Sequence, residues 1–190
     1  MGPEVWKGDA PPPARGVVIL GTPVGSREFI ASHAQTRMAE EQRLLDMLGH
    51  VPDAQCAWIL LRYCASPRAN HLMRMVPPDQ LREYARLHDE AVWNALRAIL
   101  GADGLSAEEE ELARALASLP GRMGGLGLQN ASRSSVGAYW AAWADALPTL
   151  QARRPVEAAS LLLALDSLRP LPPSFAALRE AASVGSRQTR

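Results

Sequence analysis

The 190-residue sequence holds two cysteines, Cys56 and Cys64, too few for a disulfide framework. That scarcity predicts a reducing compartment, so an intracellular protein, cytoplasmic or nuclear. Long apolar runs are missing as well: AASLLLAL at 158–165 is far short of the ~20 residues a membrane-spanning helix requires. The opening MGPEVWKGDAPPPARG lacks the apolar centre of a signal peptide. Net charge is zero, so no overall field draws the chain toward nucleic acid or a membrane. Lysine is almost absent, with Lys7 alone among the 20 basic residues and arginine filling the rest. Arginine forks suit phosphates and carboxylates, although GC-rich coding would enrich arginine, alanine and proline together.

Several chemistries lack their residues. No Gly-Lys-Ser/Thr follows a glycine run, which removes the P-loop. His33, His50, His71 and His88 stand in no zinc spacing with the two cysteines. His88-Asp89 cannot act as a dyad, because adjacent helical residues point about 100° apart. No Asp-Asp pair occurs, and nothing marks a nucleophilic serine. The sequence therefore implies no cofactor, no metal and no catalytic residue.

With 47% hydrophobic residues, a substantial core is within reach. Residues 1–15, with Pro11-Pro12-Pro13, read as an extended, disordered arm. GVVILGT at 16–22 is the one convincing strand, and Val24 could begin a short hairpin partner. The rest of such a sheet would lie outside the chain. Helices follow over 27–48 with Gly49 as a left-handed stop, over 53–65 capped by Asp53 and broken by Pro67, and in a short stretch before Pro77-Pro78. The clearest helix is 78–100, with Leu81, Ala85, His88, Val92, Ala95 and Ile99 on one stripe and Gly101 beyond its end. His88 on that stripe reads as a hydrogen-bonded core residue. Ser106 and Glu109 form a capping box for the next helix. Ser132 or Asn130 caps another that runs to about Leu147, and two more are predicted near 155–168 and 173–183. The fold class is mainly α: a helical bundle with one or two short N-terminal β-strands. Its divisions are the arm 1–15, a β-hairpin remnant 16–26, a bundle 27–119, a glycine corner with helical connection 120–184, and a frayed tail 185–190.

LPGRMGGLGL at 119–128 begins like a dinucleotide fingerprint, but Asn130 occupies the third glycine position and a helix precedes it. Gly124, Gly125 and Gly127 therefore read as a structural corner. Tyr139, Trp140 and Trp143 at helical spacing read as core. Residues 54–76 carry Arg62, Arg68 and Arg74 without an acidic residue. Such a segment either holds a nucleic-acid backbone or solubilises the edge of an apolar helix pair.

GVVILGTPVGSREF, PDAQCAWILLRYCASPRANHLMR, HDEAVW and LPGRMGGLGLQNASRSSVGAYWAAWADAL occur in that order. The ordered set resembles the region just downstream of the catalytic palm in reverse transcriptases of non-LTR (LINE-type) retrotransposons, over roughly residues 16–150. The resemblance implies a primer-grip hairpin, with Gly21 and Thr22 in its turn. It also implies a thumb-like bundle over 27–119 that includes Arg68, Asn70 and Arg74, and the acid-free segment adds Arg62 to them as a candidate nucleic-acid-binding residue. The implied partner is an RNA–DNA hybrid or other duplex, bound weakly, beside a palm domain of a longer parent chain. The metal-holding Asp-Asp turn of that family is absent, so the expectation is a non-catalytic fragment of an RNA-directed DNA polymerase. The alternative is a helical protein-interaction module or a functionless retroelement remnant.

Overall fold

A computed structural model describes residues 8–102 and 104–167. The fold is mainly α, with a short antiparallel hairpin at its front. β1 (Gly16–Ile19) pairs with β2 (Thr22–Gly25) in the register Val18 to Pro23 and Ile19 to Thr22. Leu20 and Gly21 form a two-residue turn with φ of 50° and 79°, the left-handed pair that matches strand twist. The expected hairpin partner at Val24 is therefore present. Ahead of it, Pro12–Ala14 make one exposed 3-10 turn rather than a loose arm. Ser26 anchors that turn: its hydroxyl donates to Pro12 O, its N–H donates to Arg15 O, and its Oγ caps the first helix.

The helices are α1 (Arg27–Leu48), α2 (Ala54–Leu60), α3 (Asn70–Met75), α4 (Pro78–Leu100), α5 (Ala107–Ser118), α6 (Ala131–Arg153) and α7 (Pro155–Ser167). α4 is the centre, with α1 along one side and α6 across another. Its predicted stripe is realised: Leu81, Ala85, His88, Val92 and Ala95 are buried, and Ile99 packs at the margin. Leu61, Leu81 and Leu96 are fully enclosed, each contributing about 1.5–3 kcal/mol. Leu128 and Ala131, beyond the glycine corner, join the same core as α1 and α4. The division near residue 120 thus separates no second core.

Ends and junctions explain where local signals held. Asp53 accepts from Cys56 N–H at 2.7 Å, Gly101 closes α4 at φ 60°, and the Ser106–Glu109 box is complete. Gly49 departs from expectation. Its φ is −65°, so no left-handed turn calls for glycine, and it packs closely on α4: a Cβ there would lie 3.1 Å from Ala98 Cβ. Asn130 caps α6 from within, while Asp89 of α4 accepts from Ala131 and Ser132 N–H at 2.6 and 2.9 Å. Asp89 thereby docks the positive end of α6 onto α4. α6 also passes the expected stop at Leu147 and runs through Pro148 to Arg153, held by α3 and α4 upstream and α7 downstream. Tyr139 is buried as expected, whereas Trp140 and Trp143 are half-buried.

Arg114 ties α5 to α4, with its fork on both Glu90 oxygens at 2.9 and 2.8 Å and on Glu110 at 2.8 Å. Its hydrogen bonds hold the Glu90 and Glu110 carboxyls below their usual range. The predicted helix near 173–183 and the tail 185–190 lie outside the described residues.

Candidate nucleic-acid interface

The site begins with Pro67. A proline inside a helix removes one N–H and presses its ring on the carbonyl four residues earlier. Instead of breaking, the chain widens into a π segment at Leu61–Ala65 and tightens into a 3-10 turn at Ser66–Ala69 before entering α3. Two consequences follow. Asn70 N–H bonds Pro67 O in the 3-10 pattern instead of Ser66 O in the α-helical one. The re-wound segment also carries Arg68 and His71 to the hairpin tip.

The Ser66 carbonyl also accepts from His88 Nε2, at 3.0 Å in the core. Because a carbonyl can only accept, Nε2 donates to it, and Nδ1 lies 3.0 Å from Glu41 Oε2. Tyr84 O–H donates to the same carboxylate at 2.9 Å. All three side chains are buried, and Arg37 Nε stands 3.4 Å from Glu41 Oε1 at the rim. Burial, then the adjacent Glu41 charge, pushes the Tyr84 phenol well above its ordinary range, so it stays a donor. His88 is thus a hydrogen-bonded core residue, and its partner is an acid. The sequence signal for Glu41 was its place on the α1 stripe between Met38 and Leu45.

In front of this network lies a cleft of about 400 Å³. Leu20 and Gly21 of the turn form one wall, His33, Arg37 and Glu40 of α1 another, and Arg68 and His71 the third. Thr22 Oγ1 meets His71 Nε2 at 3.2 Å, pinning the hairpin to α3. Arg37 is partly neutralised by Glu40 and Glu41, each at 3.4 Å. Arg68 is half-buried and lines the cleft, with its Nε enclosed and without a hydrogen-bond partner among the described residues. A guanidinium so placed can grip a phosphate oxygen entering the cleft.

Of the sequence-derived candidates, Gly21, Thr22 and Arg68 are brought together around this cleft, from segments far apart in the chain. Arg62 and Arg74 are not. Arg62 stacks over Trp58 and Tyr63, 5.4 and 5.0 Å from the ring centres, and braces the glycine corner against Gly127. Arg74 reaches Asp145 of α6 at 3.5 Å, so an acid faces the segment that holds none in sequence. Asn70 opens α3, half-buried, beside His71. Arg37, His33 and His71 complete the cleft but carried no motif.

The glycine corner is closed upon itself. The N–H groups of Gly124, Gly125, Gly127 and Leu128 donate to the carbonyls of Gly121, Pro120, Leu119 and Ala117 at 3.0, 3.2, 2.8 and 3.1 Å. Those donors point at the chain's own backbone, so none is free to cradle a phosphate. Among the described residues no group of acids, histidines or cysteines could hold a metal, and no helix is long and apolar enough to cross a membrane.

These features define a helical bundle with a hairpin-walled polar cleft that Arg68 lines. No protein-family model, no curated protein and no solved structure matches the chain.

Proposed function

We propose that the bundle holds the backbone of a nucleic-acid duplex, in the manner of a polymerase thumb, without polymerising. The observation that carries this reading is the convergence of the hairpin tip at Leu20–Gly21 with Arg68 on one cleft, where Thr22 meets the cleft's His71. The resemblance to the primer-grip and thumb region named Gly21, Thr22 and Arg68 separately, and their meeting supports it. Lone-phosphate contact fixes position but reads no base, so affinity should be micromolar or weaker. Thumb-like contact implies an A-like minor groove, so an RNA–DNA hybrid is the preferred duplex.

The arrangement sharpens the expected salt dependence. With Arg62 stacked and Arg74 paired, Arg68 is the main phosphate contact, and the logarithmic slope should lie near −1, from roughly 0.9 per phosphate. Three contacts would give a slope of about −2 to −3 instead. Fluorescence anisotropy with a labelled hybrid across a salt series measures it. A hybrid that competes no better than DNA of the same sequence would contradict thumb-like recognition.

The sequence has no Asp-Asp turn, so no primer extension is expected on an RNA template with magnesium or manganese. Extension above that of a mock purification would overturn the non-catalytic reading. A second reading, a protein-interaction module, is favoured by a different observation: the apolar, exposed hairpin.

A further inference from the structure

We propose that β1 is a self-pairing edge through which two copies of the chain form a two-fold dimer. Val17, Val18 and Ile19 follow one another in β1 and are all about half-exposed, so both faces of the strand present apolar surface. Leu20 at the tip is 93% exposed. An isolated two-stranded hairpin is marginal in water, and such an edge invites a further strand.

The two edges of the hairpin are not equivalent. β2 is the anchored strand: Thr22 and Pro23 are buried, and β2 lies against α1 and α3. The ladder continues through Ser26 N–H to Arg15 O at 2.9 Å. By the alternation of an antiparallel ladder, the backbone groups of Arg15, Val17 and Ile19 turn toward β2, and those of Gly16 and Val18 turn outward. On β2 the residue opposite Val18 is Pro23, which has no N–H to offer. Pro23 therefore blunts the outer edge of β2. β1 carries no proline and no charge from Gly16 to Ile19, so the usual protection of an edge strand is missing there.

A strand edge is completed by another strand edge, and among the described residues β1 has the open one. Antiparallel pairing about a two-fold axis at Val18 sets Val18 against Val18 and Val17 against Ile19. The same register sets Arg15 against Gly21 of the second copy, so the flanking charges do not oppose each other. Zero net charge adds no repulsion between copies. The outcome is a four-stranded sheet with the helical bodies outside, an isologous contact of the commonest kind.

Sedimentation equilibrium of the full chain from about 1 to about 300 µM tests this, covering the affinity a small interface gives. The mass should rise from one chain toward two. Val18→Lys places like charges face to face and should weaken dimerisation by at least ~10-fold, with circular dichroism and melting unchanged. Val18→Glu alone should do the same. Mixing the two variants should restore a heterodimer, which a mere folding defect could not do. A single-chain mass at the highest concentration, undiminished association of Val18→Lys, or a mixture that stays monomeric would each overturn the proposal.

Discussion

Replacing Glu41 by alanine is expected to destabilise the fold by about 3–5 kcal/mol, the usual loss when one partner of a buried ionic network is removed. The carboxylate accepts from Tyr84, faces His88 Nδ1 and neutralises Arg37 at the rim. Without it, a phenol and an imidazole edge are left in a core that gives them no other acceptor. His88 cannot turn away, because its other nitrogen is fixed on Ser66 O. The effect should reach the cleft, since Ser66 belongs to the turn that presents Arg68. Glu41→Gln keeps an acceptor for Tyr84 and should lose roughly half as much. Urea denaturation of both variants measures the difference. A cost under ~1 kcal/mol for Glu41→Ala would mean the network is incidental to stability.

Gly125→Ala is the second large effect, expected to cost about 2–3 kcal/mol through forced displacement of well-packed backbone. A Cβ at Gly125 would collide with the backbone carbonyl of Leu119, and that carbonyl accepts the Gly127 N–H that closes the corner. Rigid backbone gives little. At Gly127 the strain differs: φ is 67°, and a Cβ would meet the Arg62 guanidinium at 2.7 Å, a group that can swing aside. About 1–2 kcal/mol is expected for Gly127→Ala, mainly from the left-handed backbone. Gly121 has open space around its missing Cβ, so Gly121→Ala serves as the control and should be nearly silent. Thermal melting of the three variants gives the order. A nucleotide affinity abolished by Gly125→Ala would instead mean that the corner cradles phosphate.

Signals confined to a few neighbouring residues were readable in the sequence. The α4 stripe, the Asp53 and Ser106 caps and the Gly101 stop depend on contacts within a turn or two, and each is where the pattern put it. Signals that needed a distant partner were not. Gly49 looked like a left-handed stop, but its backbone is right-handed and its close neighbour is Ala98 on another helix. Pro67 looked like a break, but a π turn before it and a 3-10 turn after it keep the rod continuous. The helix over 131–153 was expected to end near Leu147, but packing on both sides carries it through Pro148.

The site follows the same rule. Arg62, Arg68 and Arg74 share one acid-free sequence stretch, although Pro67 between them meant that they need not share a face. Re-winding at Pro67 and the approach of α6 send them to Trp58, to the hairpin cleft and to Asp145. Charge in sequence says what is available, and the partner decides how it is used. Glu41 was hidden for the opposite reason: an acid on an apolar stripe looks like an interruption until Tyr84 and His88 stand beside it.

The most direct test of the cleft as a duplex-backbone site is the salt dependence of hybrid binding by Arg68→Ala beside that of Arg133→Ala, an exposed arginine near the start of α6. The account predicts that Arg68→Ala weakens binding and flattens the logarithmic slope by nearly one, while Arg133→Ala matches the parent chain. An Arg68→Ala protein that binds with unchanged slope would contradict it.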